Sequence, residues 1–132
     1  MAVNPAFAST PRVGSAQVST ANTNRDGTGT IATIFTAGSS GSRIDRVTIQ
    51  ATGTTTAGMV RLFIHDGSNS RLYHEEPVGA MTPSATVAAS FATCEPITYP
   101  EKFPLILPSG YSLRASTEKA ETYNVIAVGG DF

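Results

Sequence analysis

The chain has no tryptophan and a single cysteine, Cys94. One cysteine forms no internal disulfide, so the core alone must hold the fold. Cys94 lies in the apolar run AASFATC, where a thiol reads as a small buried hydrophobe. Charge is scarce too, at 14% of residues, against about 25% in ordinary domains. No stretch gathers lysine and arginine and the net charge is −1, so there is no electrostatic footprint for nucleic acid. No run approaches the roughly 18 apolar residues that a membrane span needs. Thin basic content and the missing tryptophan speak against a membrane-surface module. The opening MAVNPAFASTPRVG lacks the basic-then-apolar order of a signal peptide, which implies folding in a reducing cytoplasm.

What remains is 132 residues, 40% of them hydrophobic, with polarity carried by Thr, Ser, Gly and Asn. That length fits one domain with its own core. No window shows a helical stripe. Short runs of alternating apolar residues, separated by turn-forming clusters, predict strands over 30–38, 43–52, 57–67, 70–78, 86–94, 111–117 and 122–130. Val47, Ile49 and Ala51 read as inward, with Arg46, Thr48 and Gln50 outward. Val60, Leu62 and Ile64 share one side of their strand, opposite Arg61, Phe63 and His65. Asp66-Gly67-Ser68-Asn69 is a hairpin signal, and the short Glu118–Glu121 link suggests that the last two strands pair. The expectation is an all-β, single-domain antiparallel β-sandwich of about eight strands, jelly-roll-like, with an immunoglobulin-like sandwich second. Residues 1–20, with Pro5 and Pro11, read as an extended N-terminal arm ordered by a partner, ahead of a sandwich domain over 21–132. The proline-rich 96–110 segment reads as a crossover or edge strand.

Candidate chemistry is thin. Asn22, Asn24, Asp26 and Gly27 match the front of an EF-hand loop, but position 12 is Thr33 inside a predicted strand, and two ligands are neutral amides. The same residues suit a tight turn, which is the preferred reading. His65 and His74 approach each other across a hairpin with Glu76 as a third ligand in the alternative reading, but the pattern of a zinc or cupin-type site is missing. No serine sits in a G-x-S-x-G elbow. Asp45, Glu75, Glu76, Glu95 and Glu101 show no favoured pair for glycoside hydrolysis. The chain therefore reads as non-enzymatic, with no cofactor and no metal.

The stretch GSRIDRVTIQATGTTTAGMVRLFIHDGSNSRLYHEEPV, with LPSGYSLRAST and the terminal ETYNVIAVGGDF, resembles a family of small tailed-bacteriophage virion proteins of the capsid decoration (cement) type. The resemblance runs from about Gly29 to Phe132 and leaves residues 1–20 unmatched. It implies a sandwich that binds the outside of an assembled head, where major capsid proteins meet, and opposes the pressure of packaged DNA. It further implies a homo-oligomer, a trimer ahead of a dimer, found on the virion exterior and in the host cytoplasm before assembly. Under that reading the interface candidates are Pro5, Phe7, Pro11 and Arg12 in the arm, Arg43 and Arg46, and Phe103 and Ile106 in the proline-rich segment. Leu105 and Leu107 equally suit a cap on the core. The competing reading is a tail-associated or receptor/carbohydrate-binding module, for which Tyr73, Tyr99, Tyr111 and Tyr123 are the available aromatic platforms.

Overall fold

The alternating runs become strands because each can turn one face to a common core. The computed structural model describes residues 8–94 and 104–132. Pro5, Phe7, Tyr99, Phe103 and the side chain of Cys94 lie outside the described residues. Among the described residues there are nine strands: β1 (Thr10–Val18), β2 (Ala32–Thr36), β3 (Ser42–Ala51), β4 (Gly58–His65), β5 (Ser70–Val78), β6 (Phe91–Cys94), β7 (Leu105–Leu107), β8 (Ser112–Thr117) and β9 (Tyr123–Asp131). They form two antiparallel sheets in a sandwich. The first has the order β1-β9-β3-β6, with β7 also on β3, and the second has the order β2-β8-β4-β5.

Because β9 runs along one side of β3 for its whole length, β6 and β7 share the other side. Cys94 opposes Val47 and Leu105 opposes Ile44. The end of β6 and the start of β7 thus meet β3 within one short stretch. Asp45 bulges there, between Ile44 and Arg46. Gly129 passes so close that a Cβ on it would stand 1.9 Å from the Arg43 carbonyl oxygen.

Ile44, Val47 and Ile49 from the first sheet meet Val60, Leu62, Leu113 and Ala115 from the second, with Phe35, Tyr123, Val125 and Ala127 completing the layer. Removing each large side chain from water stabilises by about 1.5–3 kcal/mol. The expected inward set on β3 and the Val60/Leu62 side of β4 both face this core. Leu105 and Leu107 also enter it.

Three expectations change. β8 and β9 do not pair: β8 lies between β2 and β4, and β9 between β1 and β3. Both edges of each are already taken, and the link between them is tied to the β3–β4 loop and the start of β4 instead. Glu118 N donates to the Met59 carbonyl at 2.9 Å, and Lys119 Nζ donates to the Ala57 carbonyl at 2.7 Å. Secondly, strand 86–94 shortens to Phe91–Cys94, because Ser84 and Val87 close a reciprocal backbone bridge that uses their own donors. Thirdly, Thr10–Val18, placed by the sequence within a partner-ordered arm, is a nine-residue edge strand in unbroken register with β9.

Candidate functional site

The residues that looked like a metal loop are bent inward on themselves. Asn22 Oδ1 accepts from Asn24 N at 3.0 Å, and its Nδ2 donates to the Thr28 and Thr30 carbonyls, each at 3.0 Å. Asp26 Oδ1 accepts from Thr28 N at 3.1 Å and from Thr28 Oγ1 at 2.5 Å. The Thr28 hydroxyl, then its amide, holds the Asp26 carboxyl below its usual value. Gly27 and Gly29 take positive φ, near 87° and 86°. This is a turn of the Asx kind, in which short side chains satisfy the backbone.

The loop also covers something. Asn22 N donates to the Thr117 carbonyl of β8, and the Asn22 carbonyl accepts from Arg61 Nη1 of β4 at 3.5 Å. Arg25 Nε donates to Glu75 Oε2 of β5 at 2.9 Å, and Gly27 lies against the Ser70 backbone. The segment therefore straps the outer face of the second sheet from β8 to β5. Beneath it Arg61, Phe63 and Ser116, all on the side away from the core, are almost fully buried. Partial burial pushes the Glu75 carboxyl up, and hydrogen bonds from Arg25 and Arg61 overcome this and hold it low.

The histidines do not converge. His74 opposes Leu62, whereas His65 opposes Ser70 beyond a bulge. His65 Nδ1 and Ser70 Oγ hydrogen-bond at 3.0 Å, and buried His74 places Nε2 3.4 Å from Glu76 Oε2. Among the described residues, no group of three or more His, Cys, Asp or Glu is placed to hold a metal ion.

The outer face of the first sheet is different. Reading the registers across β1, β9, β3 and the β6/β7 edge gives rows of outward side chains. One row holds Pro11, Arg43 and Ile106, and the next holds Val13, Val128 and Arg46. Then come Ser15, Ile126, Thr48 and Thr93, and finally Gln17, Asn124, Gln50 and Phe91. Val13, Phe91 and Ile106 are 68%, 67% and 53% exposed, which makes them the most exposed large hydrophobics among the described residues. Four of the sequence's interface candidates, Pro11, Arg43, Arg46 and Ile106, meet on this face.

Arg12 does not join them. It lies over the Phe35 ring at 4.4 Å, donates to the Thr36 carbonyl at 2.8 Å and pairs with Asp131 at 2.9 Å. Arg43 pairs with Asp45 at 2.7 Å. Val13 and Phe91 were missed as surface residues. The alternation of Pro11, Val13, Ser15 and Gln17 carried the signal for Val13, once the arm is read as a strand.

A separate groove of about 230 Å³ opens at one end of the sandwich between Ile64, Asp66, Arg71, Leu72, Tyr73 and Tyr111. Comparison with known proteins finds no matching family model, no matching curated protein and no matching solved structure.

Proposed function

We propose that the chain is a non-enzymatic decoration (cement) protein of a tailed-phage capsid, which binds the outer surface of the assembled head and stabilises contacts between major capsid proteins. The observation that carries this reading is the contrast between the two outer faces: one is strapped and buried, the other is flat, charge-poor and bears exposed apolar side chains. Exposed apolar side chains gathered on one face favour an interaction site. The sequence resemblance points the same way.

Strand order adds support. If β6 and β7 are counted as one interrupted strand, eight strands remain among the described residues, and their order in the two sheets is consistent with the two-Greek-key winding of a jelly roll, an architecture frequent in viral capsids. Oligomerisation, a trimer in this reading, multiplies weak individual contacts on a repetitive shell. The protein would then reside on the capsid exterior, after folding in the host cytoplasm. The test is to add purified protein to expanded heads that lack it. Saturable binding and a higher head rupture temperature are expected; no binding at saturating concentration would falsify the proposal.

One observation favours a second reading. Tyr73 and Tyr111 line a groove with Asp66 and Arg71, which suits a sugar ring stacked on an aromatic face and held by polar groups. This is the carbohydrate-binding alternative. Glycan-array binding lost in Tyr111→Ala would favour it over the first.

A further inference from the structure

We infer, resting on the capsid reading above, that the outer face of the β1-β9-β3-β6 sheet is the docking face, and that its partner presents carboxylates beside an apolar surface in many repeated copies. Three observations lead there.

The first is charge. On the outward positions of these strands the formal charges come from Arg43 and Arg46 of β3, with Asp45 in the bulge between them. Asp45 is spent on Arg43 at 2.7 Å, whereas Arg46 has no acidic partner among the described residues. An exposed guanidinium beside Val13 and Val128 complements a carboxylate next to apolar groups. A second copy packed on this face offers Arg46 no free carboxylate, because Asp45, the acid on these strands' outward side, is already held by Arg43.

The second is shape and composition. Pro11 and Val13 stand at one margin of the sheet and Phe91 and Ile106 at the other, with Val128, Ile126, Asn124, Thr48, Gln50 and the two arginines between them. At the Phe91 corner a shallow groove of about 260 Å³ continues the apolar surface past Met81 and Ala89.

The third is size. Three strands of nine or ten residues, about 4.8 Å apart, with the shorter β6 and β7 on the fourth edge, give a face of roughly 550 Å². A standard pairwise interface takes about 600–1,000 Å² from each partner. The face lies just below the low end of that range, and it suits a lattice on which several copies are held at once.

The test uses the full chain and expanded heads lacking it, with affinity measured by cosedimentation across a salt series. Wild-type binding should weaken as salt rises. Arg46→Glu and Val13→Asp should each weaken it at least tenfold, and Arg46→Glu should flatten the salt dependence. Thr33→Glu, exposed on the second sheet, should bind as wild type does. Thermal unfolding of each variant checks that it remains folded. If the first-sheet variants bind normally and Thr33→Glu does not, docking uses the other sheet; the inference falls while the capsid reading stands. If wild type itself fails to bind, both fall. If sedimentation equilibrium shows a dimer that Val13→Asp dissolves, the occupant is a second copy and the acidic-partner inference is overturned.

Discussion

Arg61 on β4 and Glu75 on β5 face each other across the second sheet at 3.1 Å, beneath a loop whose Arg25 shares the same carboxylate oxygen. The Arg61 side chain is 3% exposed and that of Glu75 is 28%. Breaking a fully buried pair costs about 3–5 kcal/mol, because one charge is left uncompensated. Glu75→Gln should cost less, about 2 kcal/mol, since Glu75 keeps some water. Arg61→Met combined with Glu75→Gln should recover part of that loss, because an apolar side chain of similar length needs no partner. Urea unfolding measures both. If Glu75→Gln leaves the midpoint unmoved, the strap does not depend on this pair.

Gly27 is the point where the strap touches β5. Its φ of 87° and a Cβ position 2.0 Å from the Ser70 carbonyl oxygen leave no room for a side chain. Gly27→Ala should therefore cost about 3 kcal/mol and loosen the loop, with faster hydrogen exchange at Asn22–Thr30. Millimolar calcium should leave the melting temperature where it was. A calcium-dependent rise would mean that Asn22 and Asp26 serve an ion rather than their own backbone.

Ser116 Oγ is buried with no hydrogen-bond partner among the described residues. An unsatisfied buried hydroxyl carries its desolvation cost without return. Ser116→Ala should stabilise the fold by about 1 kcal/mol in thermal or denaturant unfolding. A loss of stability would contradict the absence of a partner.

Asp131 joins three strands. Its Oδ1 accepts from Ser42 Oγ of β3 at 2.5 Å and from Arg12 Nη1 of β1 at 2.9 Å. The Ser42 hydroxyl first, then Arg12, holds its carboxyl below the usual 3.8. A folded pKa below the unfolded one stabilises fully above the unfolded value, and that stability is lost as pH falls through the folded value. Stability should thus be steady down to about pH 4 and decline below it. Asp131→Asn should shallow that decline. An unchanged acid profile in the variant would show that Asp131 contributes nothing to it.

The sequence made the strands legible wherever one face met the core. On β3, the alternation of Val47, Ile49 and Ala51 with Arg46, Thr48 and Gln50 corresponds to side chains in and out. The same rule misled on β4. Arg61 and Phe63 lie opposite the core yet are buried, because a loop distant in sequence covers them, and period alone does not register a cover. Proximity misled at β8 and β9: a short link suggests a hairpin, but in a sandwich it serves equally to pass the chain between sheets. The face was partly legible. Arg43, Arg46 and Ile106 stood out as exposed candidates, but their company with Val13 and Phe91 depends on pairings among β1, β9, β3 and β6, which are far apart in the chain.

A cryo-EM map of expanded heads incubated with the protein tests the central claim most directly. The account predicts density on the outer shell with the β1-β9-β3-β6 face turned to the capsid and the Asn22–Thr30 loop turned to solvent. Bare heads at saturating protein, or density in which the strapped sheet touches the shell, would contradict it.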